Sequence, residues 1–217
     1  MPLNDRDYMK QPSSPPPRRR LWTGGGTGGF LQNPVYIIII INLIIYLASF
    51  INSDKLVNTF GLSPSLFTQQ PWTILTNMFV HVEFWHIFGN MLTLFFFGQV
   101  VYQLVGTKWF LLVYFVGGIV GNLGYIWLGD PYSIAIGASG AIFALTGALV
   151  VMMPTMRVNL WGIIPMPLWA FVLIFMVLWS IPNLFPGIAW QGHLGGLLVG
   201  LATGFFFRRK RRVIYYR

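Results

Sequence analysis

The sequence predicts an all-α protein, a single polytopic membrane domain built as a six-transmembrane-helix bundle. Three observations predict it. Of 217 residues, 55% are hydrophobic and only 9% are charged. A soluble domain carries about 25% charged residues, so this chain cannot cover a water-facing surface. Six apolar segments follow one another, at roughly 34–51, 84–104, 109–128, 139–153, 167–184 and 193–207. The basic residues flank these segments. Six spans put both ends of the chain on one side, and that side receives Arg6, Lys10, Arg18 to Arg20, Lys108, Arg157, the run Arg208, Arg209, Lys210, Arg211, Arg212, and Arg217. Lys55 alone falls on the other side, so thirteen of the fourteen basic residues lie together. Positive charge accumulates on the cytoplasmic side, and both termini are therefore expected there.

Each element has its own reason. Residues 1–33, with "SSPPPRRR" and "GGGTGG", are too polar and too rich in Pro and Gly to pack, and read as a disordered cytoplasmic tail. A secretory signal is not expected, because no small-residue cleavage site follows a short apolar region. Asn33-Pro34 reads as a helix start, a capping side chain before a first-turn proline. "NPVYIIIIINLIIYLASF" is then the first span. A long external loop, 52–83, leads to the second. The fourth and sixth segments are short, about 15 residues or roughly 22 Å, less than the roughly 30 Å hydrocarbon core. Residues 208–217 read as a basic cytoplasmic tail.

Composition also excludes functions. The chain has no cysteine, which removes disulfide and thiolate chemistry. Its net charge of +9 sits in flanks and tails, with no soluble domain to bind nucleic acid. The five acidic residues, Asp5, Asp7, Asp54, Glu83 and Asp130, all lie outside the spans. Transporters and ion pathways usually carry ionisable groups within their spans, and an aspartyl intramembrane protease needs two carboxylates there. "HVEFWH" lacks the glutamate directly after its first histidine that a zinc protease motif requires, since Val82 stands there. No metal and no cofactor are expected.

The remaining polar groups gather at one level. His81, His86 and His193 lie at the external ends of spans two and six, and Ser139 at the external end of span four. Ser139 precedes Pro154 by 15 residues, and His193 precedes Arg208 by 15. Two helices rising from one face over that length bring both residues to about 20 Å. A serine and a histidine at equal depth could form a hydrogen-bonded nucleophile and base. His86 and Asn90 are four apart and share a helix face, from which side-chain donors could meet a developing oxyanion.

Three motifs, "HVEFWHIFGN" (81–90), "GASG" (137–140) and "GHLGGLLVG" (192–200), together resemble the rhomboid intramembrane serine proteases, over about residues 34–207. The resemblance implies Ser139 as nucleophile and His193 as general base, without a third acidic member. It implies an oxyanion hole from the Ser139 amide, His86 and Asn90. His81 is expected to brace the first loop, Phe143 to set an aromatic ring beside the base, and Gly137 and Gly140 to flank the serine. Gly196 and Gly200 read as a helix-packing seam. The implied substrates are membrane proteins with small, helix-destabilising residues near the cut, embedded in the same lipid bilayer. The implied location is a prokaryotic plasma membrane, with the site open to the external side.

Two positions depart from the family pattern. Where the family often has Trp-Arg in the first loop, this chain has Trp72-Thr73, and Gly192 replaces the usual alanine before the histidine. Two other classes compete with a protease: a proteolytically inactive rhomboid-like protein that escorts membrane proteins, and a small-molecule transporter. The intact Ser–His pair argues against the first. The acid-free spans and the lack of an obvious inverted repeat argue against the second.

Overall fold

The structure, a computed structural model, describes residues 32–160, 163–181 and 187–215. The tail expected over 1–33 lies almost wholly outside the described residues. The described chain is mostly helical. Helix α1 (Pro34–Ser49) is followed by the short α2 (Ser53–Phe60) and α3 (Thr73–Thr76) in the first loop. Next come α4 (Phe84–Thr93), a π turn over Leu94–Gly98, and α5 (Gln99–Leu128). After α6 (Ser139–Met152), two strands, β1 (Arg157–Leu160) and β2 (Ile164–Pro167), form an antiparallel hairpin. A broken helix follows, made of α7 (Leu168–Phe171), a π segment (Val172–Val177) and a 3-10 turn (Leu178–Ser180), and α8 (Trp190–Tyr215) closes the chain.

Local chemistry explains the starts. Asn33 caps α1, its Oδ1 accepting from the Val35 N–H at 3.0 Å ahead of Pro34 in the first turn. Its Nδ2 donates to Gln99 Oε1 at 3.0 Å, tying α1 to α5. Asn52 caps α2 through Lys55 N–H at 2.8 Å.

Among the described residues, one helical run, Phe84–Leu128, is long and apolar enough to cross a membrane. It is not straight. Gly106 has φ 80° and ψ 171°, a left-handed conformation that glycine adopts at little steric cost. The break leaves 22 residues on each side, 84–105 and 107–128, each about 33 Å long as a helix. The second leg folds back along the first. A Cβ on Gly98 would lie 3.5 Å from Phe110 Cε2, although twelve residues of straight helix would separate the two by about 18 Å.

Large apolar side chains face outward. Ile44, Leu47 and Phe50 near the end of α1, Phe95 and Phe96 in the π turn, and Leu194 and Leu198 on α8 are all exposed. Contiguous apolar surface of this kind needs lipid or protein to cover it. Helix α6 is the opposite case, buried without a break from Ala141 to Leu149, as a helix apolar on all sides should be. Helix α8 packs against both α5 and α6 through small residues. A Cβ on Gly196 would collide with the Gly140 carbonyl, and one on Gly200 with the Ala144 carbonyl. On its other face, Gly195 sits against Gly121 of α5, whose Cα would be 2.8 Å from an added Cβ.

Three features differ from the sequence expectation. The last helix outruns its apolar segment: α8 spans 26 residues, starting at Trp190 and running through the basic stretch to Tyr215. Arg and Lys are good helix formers and favour a helix C-terminus, so nothing there stops the helix. The chain between α6 and α7 pairs as two short strands, where an all-α fold was the expectation. The fifth apolar segment is an interrupted helix that ends at Ser180, where 167–184 had been expected; residues 182–186 lie outside the description.

Candidate functional site

Ser139 is the first residue of α6, and Gly137 sets up its position. Gly137 has φ 112°, a conformation that L side chains rarely adopt, and its N–H donates to the Asn77 carbonyl at 2.8 Å. The chain turns there and enters the helix at Ser139. Its amide is therefore among the first-turn N–H groups that have no partner within the helix, at the positive end of the helix dipole.

His193 comes from the first turn of α8. Its Nε2 lies 2.7 Å from Ser139 Oγ. The seam on α8 fixes that distance, since Gly196, one turn further on, brings the backbone of α8 against Gly140 next to the serine. The Phe143 ring stacks on the imidazole at 4.3 Å. On the far side of the ring, Nδ1 lies 2.6 Å from Ser180 Oγ.

Helix α4 brings the other polar groups. His86 and Asn90 face Gly137: a Cβ there would fall 2.6 Å from His86 Cε1 and 3.5 Å from Asn90 Nδ2. The missing side chain thus leaves a space that His86 and Asn90 border. His81 is fully buried. Its Nε2 is 2.9 Å from Asn90 Nδ2 and accepts from the Ala138 N–H at 3.4 Å. Both partners are N–H donors, so Nε2 is the bare nitrogen and the proton sits on Nδ1. Burial, and then the neighbouring His86, push the His81 imidazole down to about 3, so it is neutral near pH 7. It braces the loop that carries the serine as well as Asn90, a wider contact than the first loop alone.

The structure gathers Ser139, His193, His81, His86, Asn90, Phe143, Gly137, Gly140 and Gly196 about one place, leaves Gly200 a turn further along α8 against Ala144, and adds four residues that were not singled out. Asn77 and Asn122 exchange two side-chain hydrogen bonds, at 3.1 and 2.7 Å, and Asn122 also donates to the Ile74 carbonyl at 2.7 Å. This pair locks the first loop to α5. Tyr125 bonds Ser133 in the loop before Ser139, and Ser180 meets His193. Asn77 and Asn122 are 45 residues apart, so no spacing rule could pair them. Ser180 is one polar residue in an apolar run. A small cleft opens at the serine and histidine, walled by Asn77, Asn122, Tyr125, Ala135, Gly137 and Ala189.

Residues 68–210 match the Rhomboid domain family. The chain is 33% identical over 145 residues to YdcA of Bacillus subtilis (strain 168), a match covering 66% of this chain and 71% of YdcA. It is 30% identical over 146 residues to mitochondrial Rhomboid protein 1 of Saccharomyces cerevisiae, covering 63% of this chain and 42% of that protein. To the rhomboid protease GluP of Bacillus subtilis it is 37% identical over 99 residues, 45% of this chain and 19% of GluP. Family-level similarity places the chain in a membrane, though the relatives do not share one compartment. With a family match over residues 68–210, most of its length, the chain belongs to the rhomboid family, whose fold is a polytopic membrane helical bundle.

Proposed function

We propose that the protein is an intramembrane serine endopeptidase, which hydrolyses peptide bonds in or next to the transmembrane helices of other membrane proteins. The observation that carries this reading is the 2.7 Å contact between Ser139 Oγ and His193 Nε2 at the N-terminus of a buried helix.

The reaction follows from the groups present. Ser139 Oγ attacks the scissile carbonyl carbon as His193 Nε2 takes its proton. The carbonyl oxygen becomes an oxyanion beside Gly137, where the Ser139 amide, His86 and Asn90 can donate to it. Collapse breaks the C–N bond, and the imidazolium returns the proton to the leaving amine. Water, with its proton taken by His193, then attacks the acyl carbon, the bond to Ser139 Oγ breaks, and the imidazolium returns the proton to that oxygen. Helical hydrogen bonds shield a substrate's carbonyls, so the substrate helix must unwind locally. Membership of the rhomboid family implies small, helix-destabilising residues near the cut.

In this reading the chain crosses the membrane six times, using α1, the two legs of Phe84–Leu128, α6, the segment Leu168–Ser180 and α8. Both termini are cytoplasmic, by the thirteen-to-one distribution of basic residues. Reporter fusions at Phe60 and after Arg217 should report opposite sides, and matching signals would sink the six-span topology.

The central test is a serine-directed fluorophosphonate with a single-span model substrate. The parent should label and cleave. Ser139→Ala and His193→Ala should do neither while remaining folded. A parent that stays unlabelled would leave the escort protein or the transporter standing, and cleavage by purified Ser139→Ala would remove the nucleophile assignment.

A further inference from the structure

His193 has a second partner that the serine–histidine pair does not require. Ser180 Oγ lies 2.7 Å from the Met176 carbonyl oxygen and 2.6 Å from His193 Nδ1. The two contacts decide the protons. A carbonyl has none to give, so the Ser180 hydroxyl donates its only proton to Met176. Its oxygen can then only accept from the ring, and Nδ1 must carry the hydrogen. A neutral imidazole has one N–H, which leaves Nε2 bare and facing Ser139 Oγ. The hydrogen bonds run in one direction, from the Ser139 hydroxyl to Nε2, from Nδ1–H to the Ser180 oxygen, and from the Ser180 hydroxyl to the Met176 carbonyl.

We propose that Ser180 is a positioning residue for the base, a neutral third member that holds His193 in the tautomer able to deprotonate Ser139. The proposal rests on reading Ser139 and His193 as nucleophile and base. In serine–histidine–aspartate sites a buried carboxylate fixes the tautomer and stabilises the imidazolium that forms. No acidic residue of this chain lies in a span, and a lone carboxylate buried there would be costly. A hydroxyl anchored on a backbone carbonyl supplies orientation without that cost. When the ring takes the serine proton, Nδ1–H keeps its bond, and the oxygen and carbonyl dipoles already point at the new charge. No group has to turn.

Position supports the role. Ser180 ends the interrupted helix, where a π segment over Val172–Val177 tightens to a 3-10 turn over Leu178–Ser180, and π segments concentrate at functional sites. A serine bonded to the carbonyl four residues back is common in helices, and that bond alone would be structural. The 2.6 Å contact with the ring is additional.

Two measurements test it. In protein with ring-15N histidine in detergent micelles at pH 8, the His193 signal, assigned by its loss in His193→Ala, should show the proton on Nδ1. In Ser180→Ala it should shift toward Nε2–H. With a model substrate, Ser180→Ala should lower kcat about tenfold at nearly unchanged KM, the weight of one orienting hydrogen bond. Ser180→Thr keeps the hydroxyl and should recover most of the rate and the Nδ1–H signal. An Nε2–H signal in the parent, parental turnover in Ser180→Ala, or equal losses in the Ala and Thr variants would each overturn the proposal. The tautomer is read without substrate, so its outcome is separate from fluorophosphonate labelling of the parent, on which the protease reading stands or falls.

Discussion

The Phe143 ring lies flat against the imidazole of His193, with centroids 4.3 Å apart and planes 9° from parallel. Phe143 comes from the second turn of α6, the helix that starts at Ser139, so a single helix carries the proposed nucleophile and one wall against the proposed base. The ring leaves the imidazole free to slide in its plane but not to tilt. Phe143→Leu keeps an apolar side chain and removes the flat surface. Its kcat should fall about 10- to 100-fold, since small misplacements of reacting groups are this costly. Thermal unfolding should show that the variant still folds. Unchanged turnover would show that Ser139 and Ser180 hold the ring without help.

Asn90 and His81 should act as a unit. An amide nitrogen has two N–H groups. His81 Nε2, 2.9 Å away, takes one and thereby aims the other. Asn90→Ala should lower kcat more than it changes KM, because an oxyanion donor acts mainly in the transition state. One lost donor costs about 2.7–4 kcal/mol in soluble serine proteases, and here His86 and the Ser139 amide offset part of it. His81→Ala should reproduce part of the loss, and the double variant should be less impaired than the sum of the two. Full additivity would separate the two residues.

Gly196→Leu should abolish the proposed protease activity although it alters neither Ser139 nor His193. A Cβ on Gly196 already collides with the Gly140 carbonyl, and backbone cannot move aside as a side chain can. A leucine must push α8 away from α6, lengthening the contact between His193 and Ser139. Fluorophosphonate labelling and the unfolding temperature should both drop. If the variant labels like the parent, the seam does not set the position of the base.

His81 should make the fold acid-sensitive. Its imidazole is held at about 3 in the folded protein, first by burial and then by His86, against about 6.5 when unfolded. Between those values the unfolded chain binds the extra proton, so the stabilisation is complete above about pH 6.5 and declines as pH falls toward about 3. His81→Gln keeps an acceptor and does not titrate. Its unfolding temperature should fall less between pH 7 and pH 4 than that of the parent. Parallel curves would show that His81 is not the group responsible.

The family and the contact between Ser139 and His193 were legible in the sequence because both depend on local order. A glycine-x-serine-glycine run, two histidines five apart and a glycine-bearing final segment survive in one dimension. The break between the second and third segments was legible too, since Lys108 and the small residues around it interrupt the apolar run. The hairpin after α6 and the interruption of the fifth segment were not. The hairpin rests on pairing of Arg157 with Pro167 and Val158 with Met166 inside a stretch whose composition suits a turn. The interruption sets Ser180 Oγ between the Met176 carbonyl of its own segment and the His193 ring of α8, a meeting that no local pattern specifies.

By itself the sequence determined that the chain must live in lipid and which two side chains can meet at one depth, and it carries the proposal of which way the ends face. Those follow from hydrophobic area, from the side on which positive charge is retained, and from the fixed rise of a helix. Tertiary structure alone decided the close environment of His193. Ser139, Phe143 and Ser180 touch three sides of one ring, and they come from the start of α6, its second turn and the end of a broken helix 41 residues beyond Ser139. Only the packing of α8 into the seam on α6, backbone against backbone, brings them to the same imidazole. The direction of its hydrogen bonds then follows from which of those neighbours has a proton to give.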